Sequence, residues 1–247
     1  MFINRVIAVA IILISFGVFT GCQYDKLMKS DDFDAKLVKA REYYAEGDYF
    51  SSSSLFKQVF NIFPLSGEAE ESLFMSAKSM YDASPRYQLD QTYSYKAIES
   101  FQYFIDVYPK STLVTDANKY MDNLRAKLEA KMIASAELYY NTEHYQAAAV
   151  TFKNVLLDFP DTRDAEEISF KIVNSWFSYA GQSVVCRRPE RYDMAIESYF
   201  DFIKQYPQSS KADQAKSLYE RSIALKDKAN NEITTYKINC DELTKEN

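Results

Sequence analysis

Four aromatic-proline pairs divide this chain into nearly equal lengths. Phe63-Pro64, Tyr108-Pro109, Phe159-Pro160 and Tyr206-Pro207 each close a segment whose apolar residues fall at helical spacing, and consecutive prolines lie 45, 51 and 47 residues apart. Proline stops each helix because it has no N–H to donate and its ring clashes with the preceding turn. A shift of 96 residues lays the first unit on the third: Ala40 on Ala136, Tyr43 on Tyr139, Tyr49 on Tyr145, Phe56 on Phe152, Phe63 on Phe159 and Pro64 on Pro160. The second unit falls on the fourth in the same way, "AEESLFMSAKSMY" at 69–81 over "AEEISFKIVNSWF" at 165–177. The chain is thus a duplicated pair of helix hairpins. Few residues break helices (Gly 5, Pro 6), in keeping with long helical runs.

Within a unit the pattern runs small residue, Tyr three later, Tyr six after that, then Ala or Ser, an aromatic and Pro, as in Ala136, Tyr139, Tyr145, Ala148, Phe152 and Pro160. This resembles the tetratricopeptide repeat, and the resemblance covers residues 31–228. It implies an all-α solenoid of about five helix hairpins, with small residues where paired helices approach and aromatics filling the gaps between them. Gly47-Asp48 marks the first intra-hairpin turn, and Asn141-Thr142-Glu143 serves in the third. Units two and four carry inserts there, "SPRYQLDQT" at 84–92 and "GQSVVCRRPE" at 181–190. Inserts in a solenoid map to loops on one edge, where partners are met. With no Gly or Pro between Lys110 and Asp158, one helix is expected from Thr112 to about Tyr140. After the fourth proline comes the first helix of a fifth unit, and residues 229–247 read as a polar tail.

The N-terminus reads as a removable leader. A basic start, Asn4-Arg5, precedes an apolar segment from Val6 to about Val18, long enough for a signal core and short of the roughly 20 residues of a membrane span. Thr20-Gly21-Cys22 resembles the lipobox of bacterial lipoproteins, although Phe19 stands where leucine is usual; the alternative is a cysteine that merely follows a secretory signal. The lipobox reading makes 1–21 the signal peptide and Cys22 the first mature residue, carrying a diacylglycerol and an N-acyl chain. Residues 22–30 are then a lipid-anchored linker, and no other cofactor is expected. Two or more acyl chains give stable anchoring where one does not. Gln23, in place of the aspartate that retains some lipoproteins in the inner membrane, points by resemblance to the outer membrane. Ser30-Asp31-Asp32 leaves surface display open, and a helix start explains it equally well. Cys186 and Cys240 are too few and too far apart for a zinc site; in an oxidising compartment they are free to pair, and the sequence does not show whether they meet.

Little here points to catalysis or nucleic acid. Net charge is −6, against a phosphate-binding surface. The single histidine, His144, falls at a hairpin turn, and no phosphate loop, nucleophile elbow or metal-binding histidine pair is present. Glu70-Glu71 and Glu166-Glu167 sit in first helical turns, where negative charge suits the helix dipole. No catalytic or metal-ligating residue is therefore expected. The expected site is a groove lined by the first helix of each unit, suited to an extended peptide. By repeat position Arg41, Tyr44 and Lys78 are its candidate residues. Arg187, Arg188 and Arg191 form a basic group in an acidic chain and are candidates for contact with an acidic partner, or equally a solvated loop.

A lipobox cysteine, a short linker and some five such repeats with aromatic-proline ends resemble the BamD family, lipoproteins of the outer-membrane β-barrel assembly machinery. "YDKLMKSDD" at 24–32, "EYYAEGDY" at 42–49 and "LDQTYSYKAIESFQYFIDVYPKS" at 89–111 resemble in particular its Bacteroidetes-type branch. The resemblance implies a non-enzymatic scaffold at the periplasmic face of the outer membrane. Its implied partners are the periplasmic domains of a BamA-type barrel protein, other subunits of the assembly machinery and the C-terminal strand of unfolded barrel precursors, with no nucleic acid. On that reading Arg41 and Lys78 orient the strand's carboxylate and Tyr44 packs on its terminal aromatic residue. The alternative is a periplasmic repeat lipoprotein that coordinates peptidoglycan synthesis or envelope constriction, which would share the fold and differ in its partner. A surface glycan-binding lipoprotein fits less well, since most aromatics here carry core spacing.

Overall fold

A computed structural model of the chain describes residues 26–240, which are all-α with no strand among them. The expected signal peptide, Cys22 and the last seven residues lie outside these bounds. The helices are α1 (Phe33–Glu46), α2 (Tyr49–Ile62), α3 (Ala69–Ala83), α4 (Thr92–Val107), α5 (Val114–Asn141), α6 (Tyr145–Asp158), α7 (Ala165–Gly181), α8 (Arg188–Gln205) and α9 (Ala212–Thr235), with a 3-10 turn at Val185–Arg187. Successive helices pack as neighbours, as expected of repeated hairpins. Two compact units divide the chain, one ending at Leu128 and the other beginning at Glu129, so the boundary falls inside α5.

Local chemistry accounts for the helix ends. Asp32 caps α1 by accepting from the Ala35 N–H at 3.0 Å, and Asp48 caps α2 by accepting from Ser51 N–H at 3.1 Å. Between them Gly47 takes a left-handed φ of 82°, and its N–H donates to the Tyr44 carbonyl. In the duplicate turn Glu143 occupies that conformation at φ 62° without glycine's freedom. All four residues before the prolines, Phe63, Tyr108, Phe159 and Tyr206, adopt φ between −129° and −122°, the region a following proline imposes. Each still donates its N–H to the carbonyl four residues back.

In the first unit, α2 and α3 approach closely through serines. Ser53 Oγ donates to the Ser76 carbonyl at 2.9 Å and Ser76 Oγ to the Ser53 carbonyl at 3.0 Å, while Ser52 and Ser79 hydroxyls meet at 3.1 Å. Ser72 Oγ is buried with no partner. Phe60, Phe74, Phe101 and Phe104 form an aromatic core in which Phe74 meets Phe101 and Phe104 edge-on and Tyr120 stacks on Phe101. In the second unit Val173, Phe202 and Ala215 form one core cluster, and Phe152, Val155 and Ile168 are buried as well. Hydrogen bonds are copied between units, among them Ser111 Oγ donating to Glu70 and Ser209 Oγ donating to Glu166 at 2.6 Å.

Two ends differ from a simple array. Residues 26–29, inside the expected linker, form a helical turn packed on the first hairpin. Lys36, fully buried, holds it there: its ammonium donates to the carbonyls of Leu27 (2.7 Å) and Met28 (3.2 Å) and to Gln58 Oε1 on α2. Burial among these neutral acceptors pushes the Lys36 pKa down, opposed by nearby Asp31. At the other end α9 passes residue 228 and runs to Thr235, with Ala229 buried. Cys186 and Cys240 are joined by a disulfide, their Cα atoms 5.4 Å apart, which pins the α7–α8 insert to the chain beyond α9.

Candidate functional site

The first helices of the hairpins in the first unit, α1, α3 and the opening half of α5, contribute the side chains of one face. Arg41 and Tyr44 lie three apart on α1 and so point the same way. Tyr44 OH donates to Asp82 on α3 and accepts from Lys78 at 3.2 Å. Lys78 in turn donates to both Asp82 oxygens at 2.6 Å, one helical turn along α3. Its ammonium lies 5.9, 5.2 and 5.1 Å from the ring centres of Tyr44, Tyr81 and Tyr120. The cation is thus enclosed by three π faces and a carboxylate. Burial disfavours the charged Lys78, but the Asp82 and Tyr44 hydrogen bonds outweigh it and hold its pKa above the ordinary lysine value. Burial and the bond to Asp82 push the Tyr44 pKa up, so the phenol is neutral at physiological pH.

Arg41 donates to both oxygens of Glu71 on α3, at 3.1 and 3.2 Å. Both side chains are about half exposed, so this pair contributes little stability, of order 0.5 kcal/mol. Two of the three groove candidates, Tyr44 and Lys78, therefore belong to one cluster, and Arg41 stands beside it on α1. Both cations face a carboxylate of the chain itself. Helical spacing places Arg41 and Tyr44 on one face of α1 and Lys78 one turn from Asp82 on α3, but it carries no information about Glu71 facing Arg41, or Asp82 facing Tyr44, across the helix pair.

A third cation on this face, Lys127, carries no repeat-position signal in the sequence. Along α5, Tyr120, Asn123 and Lys127 form one stripe opposite Tyr81 and Ser84: Tyr81 and Tyr120 rings are 4.6 Å apart, and Asn123 donates to Tyr81 OH at 3.4 Å. Lys127 donates to Ser84 Oγ at 2.7 Å and to the Ser84 carbonyl at 3.3 Å. Partial burial alone pushes its pKa down, with no carboxylate opposing the shift. Ser84 continues into the insert, pairing with Ser94 (2.6 Å), which donates to Gln91 Oε1; Gln91 donates to the carbonyls of Arg86 and Leu89. The 84–92 insert is thereby held to the same face as Lys127. The signal available in the sequence was the i, i+3, i+7 stripe on α5.

The second unit does not repeat this cluster. At the positions 96 residues on, Arg41, Tyr44, Lys78, Tyr81 and Asp82 become Glu137, Tyr140, Asn174, Phe177 and Ser178. Glu137 pairs instead with Lys171, whose ammonium lies 5.8 Å from both the Tyr140 and Phe152 rings. Packing residues are shared between the duplicates, while the charged residues of this cluster have diverged.

In the 181–190 insert, Arg188 Nε donates to the Ser183 carbonyl at 2.8 Å. Arg191 donates to Ser183 Oγ and stacks on Tyr179 at 4.1 Å. Both arginines hold the insert's shape. Arg187, 45% exposed, makes only a 3.6 Å ion pair to Glu190 and is the member of the trio presented to solvent. His144 is exposed at the N-terminus of α6, 3.0 Å from the Thr142 hydroxyl, as a turn residue should be. No helix of the described residues is long and apolar enough to cross a membrane.

A protein-family model described as YfiO, outer membrane lipoprotein, matches residues 23–177, more than half of the chain. The match begins at the residue after Cys22 and takes in every described residue of the first unit. No curated protein matches the chain.

Proposed function

The chain belongs to the YfiO family of outer membrane lipoproteins, and from that premise we propose that it is a BamD-type scaffold of the β-barrel assembly machinery, of the Bacteroidetes-type branch. It acts without catalysis, carried on an acylated Cys22 at the periplasmic face of the outer membrane. The first unit receives the C-terminal strand of unfolded barrel precursors, and the second docks on the periplasmic domains of a BamA-type barrel protein, with Arg187 on its exposed insert.

The observation that carries this reading is the face around Lys127. An extended strand ending in an aromatic residue needs rings to pack on and a cation for its carboxylate. Tyr44, Tyr81 and Tyr120 supply the first. Lys127, whose ammonium is bonded to Ser84 with no carboxylate opposing its burial, supplies the second. Arg41 and Lys78, matched to Glu71 and Asp82, order the rings rather than receive the ligand. An arriving carboxylate gives Lys127 a counter-charge that no described residue supplies, a charge-assisted bond of about 1.5–3 kcal/mol.

The test is fluorescence anisotropy with a precursor-tail peptide ending in phenylalanine, as free acid and as amide. The free acid should bind about tenfold more tightly or better, and Lys127→Met should erase that difference, tenfold being about 1.4 kcal/mol. Equal binding of acid and amide to the unaltered chain would refute the assignment.

A further inference from the structure

Leu65 is 98% exposed. It follows Pro64 at the tip of the α2–α3 turn, where the Ser66 N–H closes onto the Phe63 carbonyl at 3.1 Å. The other three aromatic-proline turns place Lys110, Asp161 and Gln208 at the same position, all exposed. Three of four equivalent turns carry the polar residue that an exposed tip favours, and one carries leucine. Ile62, three residues before it, is 40% exposed.

The location of this turn supplies a reason. Phe63 packs edge-on against Phe33 at the start of α1, ring centres 5.0 Å apart. The helical turn at 26–29 is clamped to the same end of the hairpin by Lys36, with Gln58 of the last turns of α2 as its third partner. Leu27 lies five residues after Cys22, and five residues of chain span at most about 17 Å. An acylated Cys22 therefore brings the bilayer surface to this end of the first hairpin, because the clamp removes the slack of a free linker.

We propose that the Ile62-Phe63-Pro64-Leu65 turn is a membrane-contact element, with Leu65 seated in the lipid interface beside the anchor. This rests on the lipidation of Cys22 put forward above. Two apolar side chains do not hold a protein on a bilayer, whereas the acyl chains do. The turn instead fixes orientation: with the anchor it makes a second point of contact, so the first unit meets the membrane by one defined end.

The experiment uses the purified mature lipoprotein in vesicles of phosphatidylethanolamine and phosphatidylglycerol whose acyl chains carry bromine. Trp176 is the single tryptophan, so Trp176→Phe gives a dark background into which Leu65→Trp or Phe50→Trp is placed. Phe50, 53% exposed, begins the same helix, some 18 Å from its far end. Emission from Leu65→Trp should fall by half or more relative to unbrominated vesicles, and Phe50→Trp should change by less than a tenth. Mass spectrometry of the same sample reads the acyl groups on Cys22. An acylated protein whose Leu65→Trp emission ignores bromine overturns the proposal and leaves the lipid anchor standing. Shielding of that tryptophan from iodide without bromine quenching would place a second copy of the chain there and overturns it too. A protein without acyl mass overturns both.

Discussion

Replacing Asp82 by asparagine removes the one carboxylate among the described residues that is bonded to Lys78, and changes almost nothing in shape. Two oxygens lie 2.6 Å from the ammonium, and the side chains are 17% and 19% exposed. At that separation the gross attraction is about 6.4 kcal/mol for an effective dielectric near 20. Removing one partner of a fully buried pair costs about 3–5 kcal/mol. The remaining exposure, and the three tyrosine rings that still face the cation, reduce this to an expected loss of about 2 kcal/mol. Tyr44 OH donates to the same carboxylate, so Tyr44→Phe should be non-additive with Asp82→Asn, with a coupling of about 0.5–1 kcal/mol. The pH dependence has a definite sign. Lys78 has its folded pKa raised above 10.5, so its contribution is fully present below pH 10.5 and is lost as pH rises through the folded value. Tyr44, also raised, adds to that loss above pH 10, because the unfolded phenol gives up its proton first. Urea melts followed by circular dichroism at pH 7 and pH 9 should therefore give the same difference between Asp82→Asn and the parent. A difference under 0.5 kcal/mol at pH 7 would show that water already solvates the pair, and the enclosed-cation description would be wrong.

Other outcomes follow from single features. Glu143→Gly should stabilise by up to about 1 kcal/mol by relieving a left-handed φ, while Gly47→Ala in the duplicate turn should cost about as much; thermal melts shifted a few degrees in opposite directions would show it. Ser72→Ala removes a buried hydroxyl with no partner and should leave stability unchanged or higher, whereas Ser76→Ala, which loses the donor in a reciprocal pair, should cost about 1 kcal/mol in denaturant titrations. Cys240→Ser opens a disulfide spanning 54 residues; it should destabilise the second unit by about 2–4 kcal/mol and speed hydrogen exchange after Ala229, with the first unit unchanged.

The repeat made the helices and their ends legible before any coordinates. The aromatic-proline ends, the Gly47 turn and the long α5 (expected from Thr112 to about Tyr140, found at Val114–Asn141) all follow from backbone chemistry that a single residue announces. What stayed hidden depends on pairs. Lys36 reads as a surface charge because burying lysine requires three acceptors, and those come from residues 27, 28 and 58. Arg41 reads as a free cation because its carboxylate, Glu71, sits on the facing helix, whereas Lys78 and Asp82 stand at the i, i+4 spacing of a helical pair. The run of α9 to Thr235 was masked by its polar composition, since a terminal helix buries one side and the chain after it is tied down by a disulfide rather than by apolar packing.

The most direct test of the proposed role is affinity purification of the tagged, full-length lipoprotein from detergent-solubilised membranes, with identification of what accompanies it. The account predicts a stoichiometric BamA-type barrel protein. Peptidoglycan synthases or division proteins, with no such barrel, would contradict it.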